Sequence, residues 1–397
     1  MVGWCESELS DILTLNYGWS LPGKKRVIGD IPVYGSNGIV GMHNQSLVDS
    51  PGLIIGRKGS AGNVHYSRKP FCPIDTTFYI SPLDTNLDIE FLYYLLLHLD
   101  LKRITGDVGV PGLNREMAYK EKTRYPLSKD EQRKVAAVLG LVHRAIEDQE
   151  RLLALTTELK NTLLHKLFSK GLRGEPQKQI EIGPVPQSWV QRPLEQAGDV
   201  VYGIQAAVAS NVKPIGTKIL TNKNITLDGR ITLEAINYFV LKTPRHHATV
   251  LKKGDLLFNW RSGSKEHVGK TAYFDLDGEF THSSFILRIR PHDEVTGRYL
   301  FYYLNFLRES GYFVKAQTFS VNAKFNKSAI NRLPTYLPKD DERQEIVMVL
   351  DAVSTKLKIL QAKYAVLTTL FRTLLHQLMT AQLRIHELDL PDLEIKQ

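Results

Sequence analysis

YPLSKDEQRKVAAVL (Tyr125 to Leu139) returns as YLPKDDERQEIVMVL (Tyr336 to Leu350), and ELKNTLLHKLFSKGLR (Glu158 to Arg173) returns as TLFRTLLHQLMTAQLR (Thr369 to Arg384), both at an offset of 211 residues. An internal repeat of this length governs the architecture and is read first. Two copies are too few for a solenoid. They predict an object with approximate two-fold symmetry, which suits a target that comes in two halves.

The repeat reaches upstream in weaker form. Trp4, Leu9, Tyr17 and Gly18 match Trp189, Leu194, Tyr202 and Gly203 at offset 185. Arg57, Gly59, Ser60 and Val64 match Arg261, Gly263, Ser264 and Val268 at offset 204, and Leu92, Tyr94 and Leu96 match Leu300, Tyr302 and Leu304 at offset 208. The offset only grows, so the second copy carries insertions in its front half.

The back half of each copy is a long helix. In the second copy, Ile346, Leu350, Val353, Leu357, Leu360, Tyr364, Leu367, Phe371, Leu374 and Leu378 follow one another in alternating steps of four and three. An apolar seam sustained over that length calls for a helical partner. The first copy gives Val135, Leu139, Val142, Ile146, Gln149, Leu153, Thr156, Lys160, Leu163 and Leu167 in the same frame. Here Leu152, Leu155 and Leu159 lie one residue off, so the apolar stripe is expected to drift mid-helix and return. Gln149 in the seam is expected to fix register. Asp130 and Glu131 open one helix and Asp340, Asp341 and Glu342 the other, as the helix dipole favours; Gly171, Gly174 and Pro176 end the first. If the domain between the helices is compact, the second helix starts where the first ends and runs back along it, antiparallel.

At 397 residues the chain has room for several cores. Apolar content of 43% and charged content of 23% are those of an ordinary globular protein. Cys5 and Cys72, far apart and in no CxxC pattern, exclude a disulfide framework and a structural zinc site and suit a reducing compartment. No apolar run approaches the ~20 residues of a membrane span, and the opening MVGWCESELSD has no leader character, so no membrane association and a cytoplasmic location are expected. A net charge of +9 favours a polyanionic partner, most commonly nucleic acid.

Residues 1–127 and 175–338 read as mixed α and β. GLIIGRKG and GDLLFNWRSG each run a short apolar strand into a polar, Gly-containing basic turn; CPIDTTFYISP and FTHSSFILRIRP follow as alternating strands, then an apolar helix and a polar loop. These turns and loops hold what nucleic-acid readout needs: Arg for guanine, Asn for adenine, Lys and Ser for phosphates. The first domain offers Arg57, Lys58, Ser60, Asn63, Asn114 and Arg115. The second offers Asn259, Arg261, Ser264, Lys265, Asn322, Lys324 and Asn326. The two domains differ from one another more than the helices do, as two readers of different sequences on a shared scaffold would.

Catalytic motifs are missing. GSKEHVGKT (Gly263 to Thr271) fails as a phosphate-binding loop by its spacing and because a strand follows it. GRKGSAG is no dinucleotide fingerprint, and no amino-methyltransferase Asn/Asp-Pro-Pro-Tyr/Phe motif occurs. Asp392-Leu-Glu394-Ile-Lys396 resembles a nuclease motif only superficially, in a tail, 387–397, expected to be flexible. His246 and His247 lack a third ligand for a metal, and His165 and His376 stand off the seam without a nucleophile.

The combination resembles the DNA-specificity subunit of type I restriction–modification systems over nearly the whole chain. The resemblance rests on the Trp…Leu domain openings (Trp4/Leu9, Trp189/Leu194), the Pro126 to Gln132 and Pro338 to Gln344 leads into each helix, the LLxxL block near each helix end, and GRKGS (Gly56 to Ser60) with DTTFYISP (Asp75 to Pro82). Trp260 and Arg261 depart from the GRKGS form in the second domain. The resemblance implies an α+β fold: target-recognition domains at 1–127 and 175–338, joined by long helices at 128–174 and 339–386 in an antiparallel coiled coil. It implies a non-catalytic subunit whose partners are double-stranded DNA, two modification (methyltransferase) subunits and restriction/translocation subunits. S-adenosylmethionine, ATP and Mg would then sit on those partners, and the chain would need no cofactor of its own. The rival reading is a structural adaptor, which would bind no specific DNA sequence; the paired Arg/Lys/Asn loops speak against it.

Overall fold

The structure is a computed structural model that describes residues 3–104, 112–205, 215–318 and 326–385; the tail at 387–397 lies outside them. The chain divides into two compact units, Met1–Arg151 with Gln361–Gln397, and Leu152–Leu360. Each unit thus takes half of each long helix, Lys129–Lys170 and Asp340–Met379.

Within the first unit a four-stranded antiparallel sheet runs in the order Asn16–Tyr17, Thr77–Ile80, Gly52–Gly56, Val64–Ser67. A three-stranded sheet sets Ile31–Gly35 between antiparallel Gly38–His43 and parallel Cys72–Pro73. Trp4–Glu8 pairs with Lys122–Pro126, which leads into the long helix. The second unit repeats each pattern. Its four-stranded sheet runs Gly198–Tyr202, Ile286–Pro291, Leu256–Asn259, Thr271–Tyr273. Thr217–Leu220 lies between antiparallel Asn237–Phe239 and parallel Phe280–His282, and Val190–Pro193 pairs with Pro334–Leu337. The upstream repeat is therefore a repeat of topology, and the hairpin Gln177–Ile180/Gly183–Pro186 is an addition of the second copy.

Gly18 and Gly203 show why some identities survive in both copies. A Cβ on Gly18 would sit 2.1 Å from the Ile74 carbonyl oxygen, and one on Gly203 would sit 2.2 Å from that of Ser283. In each unit a strand crosses another backbone at this point, through the parallel bridges Trp19–Ile74 and Ile204–Ser283. Only glycine permits that approach.

The helix seam holds along its whole length. All ten frame positions of each long helix are buried or half-buried. The expected drift does not occur: Leu152, Leu155 and Leu159 remain about half exposed while Leu153, Thr156 and Lys160 turn inward. The aliphatic part of Lys160 can serve as a seam residue because its ammonium reaches the Tyr302 ring, 6.0 Å from the centroid. Burial lowers the pKa of this lysine. In each unit the two helices run antiparallel. In the first, Glu131 lies by Arg384, His143 by Phe371 (ring centroids 5.3 Å apart) and Glu150 by Tyr364 (2.8 Å). In the second, the Leu172 N–H donates to Glu342 (2.8 Å) and Arg173 pairs with Asp341 (3.1 Å) and Glu345 (2.7 Å).

Each unit closes its core around the helix ends. Val135, Leu139, Leu378 and Met379 pack with Phe91, Leu92 and Tyr94 of the helix Ile89–Leu99. Leu167, Phe168, Ile346 and Leu350 pack with Tyr299, Leu300 and Tyr303 of the helix Glu294–Glu309. Burying each such leucine contributes about 1.5–3 kcal/mol. The domain-opening tryptophans tie in by the same bond in both copies. Trp4 donates to Glu131 (3.2 Å) and Trp189 to Glu342 (3.3 Å).

Candidate nucleic-acid interface

In the first unit the strand Gly52–Gly56 runs into a closed turn. Gly56 N–H donates to Asn63 O and Gly62 N–H to Gly56 O, both at 2.8 Å, while Gly59 adopts a φ of 77° that side chains resist. Arg57 and Lys58 N–H groups donate to Thr76 O, and Leu113 N–H donates to Arg57 O (2.9 Å). The turn is thus laced to the segment that carries Asn114 and Arg115.

Two of the six expected residues, Arg57 and Arg115, come together over one aromatic ring. Arg57 donates through Nε (3.2 Å) and Nη2 (2.5 Å) to the Asp75 carbonyl, and its guanidinium lies 6.0 Å from the Phe78 ring centroid. Lys58 is exposed and bridges to Gly112. Arg115 begins the short helix Arg115–Tyr119. Ser60 lies at the side of the turn, its hydroxyl 3.4 Å from Asn37 Oδ1. Asn63 serves the turn through its backbone. Asn114 caps the short helix, its Oδ1 accepting from Met117 N–H at 3.1 Å. Behind the turn, His65 has its pKa lowered by burial and by the charge of Lys102, opposed by a bond to the Ser36 carbonyl.

The second unit places its residues differently. Asn259 was expected to face a base, and the structure corrects this: the residue is 0% exposed. Its Nδ2 donates to His267 O at 2.7 Å, and its backbone bonds to Lys270 and Gly269, so it closes the turn from beneath. Arg261 is exposed, with its guanidinium 5.7 Å from the centroid of Phe285, itself 40% exposed. Each copy therefore sets an arginine over a phenylalanine of the neighbouring strand region. Ser264 and Lys265 are exposed at the turn. Asn326 caps the helix Lys327–Asn331 as Asn114 does in the first copy, accepting from Ala329 N–H at 2.9 Å. Asn322 and Lys324 lie outside the described residues.

Lys270, the second lysine of GSKEHVGKT, is buried, and its ammonium donates to the carbonyls of Asn222 (3.0 Å) and Ile225 (2.6 Å). Burial lowers its pKa, with the charge of Arg308 adding to the effect. A lysine so engaged braces an insertion and does not meet a phosphate. Among the described residues no three His, Cys, Asp or Glu side chains gather as a metal site, and no helix is long and apolar enough to cross a membrane.

An aromatic floor under these faces is not among the residues expected from the sequence. Tyr17 is 53% exposed, and both Arg57 (5.3 Å) and Arg115 (5.2 Å) lie over its ring. Its repeat mate Tyr202 meets the ring of Trp260 edge-on at 5.7 Å, and its hydroxyl accepts from Lys327 N–H at 2.9 Å. The Tyr-Gly repeat at 17–18 and 202–203 was the available signal.

The model of the type I restriction modification DNA specificity domain matches residues 1–157 and again 209–369. The type I restriction enzyme MjaX specificity subunit assigned in Methanocaldococcus jannaschii is 26% identical over 208 residues, 51% of this chain and 48% of that protein. A type I specificity subunit assigned in Mycoplasma genitalium is 27% identical over 172 residues, 41% of this chain and 44% of that protein. The matched stretch spans about half the length of these curated relatives. The crystal structure of a type I restriction–modification S subunit from M. genitalium superposes with a TM-score of 0.68 at 14% identity, over 95% of this chain and 96% of that one. A chain from a study of complex assembly and conformational transition in the type I system gives 0.52 at 17% identity, over 96% and 98%. These two structural likenesses speak for the fold.

Proposed function

The chain belongs to the type I restriction–modification DNA specificity family, and from that premise we propose that it is the non-catalytic subunit that selects the DNA sequence. Each unit reads one half of a bipartite, gapped target in the major groove. The two long helices act as an antiparallel coiled coil that sets the gap and docks two modification subunits. Restriction/translocation subunits join that assembly. S-adenosylmethionine, ATP and Mg belong to the partners, and the complex works in the cytoplasm.

One observation carries this reading best. The two units share a topology apart from the hairpin added to the second, and each sets an arginine over a phenylalanine at the same turn, yet the surroundings of that arginine differ. Phosphate contacts position a reader, whereas base contacts specify. A common frame with different side chains therefore fits two half-sites of unlike sequence.

The test is co-expression with the cognate methyltransferase subunit and genome-wide mapping of methylated adenines. A two-part gapped motif that disappears without this chain is the expected result. A competent, co-purifying partner that methylates no such motif would return the adaptor reading.

A further inference from the structure

We propose that Tyr17 is a positioning residue for the DNA backbone: its ring holds Arg57 and Arg115 side by side as a clamp for one phosphate group. This rests on the reading of the first unit as a DNA-binding domain. Tyr17 stands on the edge strand of the four-stranded sheet, more than half exposed. The guanidinium carbons of Arg57 and Arg115 lie 5.3 and 5.2 Å from its centroid, within cation–π range.

Two like charges on one ring repel unless something holds them, and each is held. Arg57 is tied by Nε and Nη2 to the Asp75 carbonyl, and among the described residues no carboxylate pairs with it. Nη1 is thereby left for a ligand. Arg115 lies over Tyr119 as well (5.9 Å), and the Tyr119 hydroxyl accepts from Leu15 N–H at 2.9 Å, which fixes that second ring. Its neighbouring carboxylate, Glu116, is 3.5 Å away and mostly in solvent. That contact is made by Arg115 Nε, which is itself buried and makes no hydrogen bond. A pair of fixed, under-neutralised guanidiniums fits a tetrahedral anion that accepts from both.

The second unit is the internal control. Tyr202 has its ring against Trp260 and its hydroxyl bonded to Lys327 N–H, and Arg261 lies over Phe285 instead. Among the described residues, the clamp is therefore a property of the first unit.

The experiment uses the full chain in complex with its methyltransferase partner. Two probes are needed, a duplex with the mapped motif and one with the first half-site scrambled, titrated over a range of salt. Tyr17→Leu should weaken binding to both probes by the same factor, roughly tenfold or less. It should also make the slope of log K against log salt shallower by about 0.9, the value for one released phosphate contact. Tyr17→Phe should behave as wild type, because the ring face and not the hydroxyl does the holding. Arg57→Gln should flatten the slope equally, and the double variant no further. An unchanged slope in Tyr17→Leu, or loss of discrimination between probes at constant slope, would overturn the clamp. If the wild-type complex failed to discriminate the probes while Tyr17→Leu still flattened the slope, the half-site reading would fall and the clamp would stand.

Discussion

Glu342 is 3% exposed and accepts from both Trp189 Nε1 and Leu172 N–H, whereas its repeat mate Glu131 faces Trp4 and Arg384 with about a quarter of its side chain in water. Removing a buried hydrogen-bonded carboxylate strands its donors. Glu342→Ala should therefore lower stability by about 2 kcal/mol and Glu131→Ala by less, as denaturant titration would show. His282 offers a second check. It is fully buried, its Nδ1 donates to Ile286 O, and burial pulls its pKa down to about 3, with Arg288 and Arg290 nearby. The unfolded chain takes up a proton below about pH 6.5, and the folded one refuses it until about pH 3. Between those values stability is lost as pH falls, by at most about 1.4 kcal/mol per pH unit. His282→Gln, which keeps a donor, should show a shallower decline over that window than the parent. Such residues also mark where reading the sequence stopped. Asn259 and Arg261 look alike as polar turn residues, but residue type does not reveal depth, and only Arg261 faces outward.

The long helices were legible because a seam is a property of spacing, and spacing is written in the sequence. Leu152, Leu155 and Leu159 misled for a related reason: hydrophobicity alone placed them inward, while the partner helix recognises position in the frame. Thr156 and Lys160 stay in frame and turn in. The short strands of both units were legible as segments, but their order was not, because non-local pairing leaves no periodic trace. Leu139 and Leu350 occupy the same place in the repeat, and both are 0% exposed. Truncating either to alanine should cost about 2–5 kcal/mol. Leu139→Ala should lower the calorimetric transition of the unit that contains Met1–Arg151, and Leu350→Ala that of Leu152–Leu360.

At the scale of the molecule, the two helices are the elements that both compact units share. If they set the gap between half-sites, one added heptad in each lengthens them by ~10 Å at ~1.5 Å per residue. That is about three base pairs at ~3.4 Å each. Methylation mapping should then return the same two half-sites with a gap about three base pairs longer; an unchanged gap would end the ruler reading.

The division of the chain also has a consequence for its biogenesis. Leu152–Leu360 is continuous, whereas the other unit joins Met1–Arg151 to residues that follow Gln361. A ribosome adding ~5–20 residues per second needs roughly ten to forty seconds to cover that interval. Through that time Leu139, Val142 and Ile146 have been made, but Phe371, Leu374 and Leu378, which lie on the partner helix, have not. The segment translated first is thus completed last, and it waits with an open apolar seam for chaperones or for its own C-terminal helix.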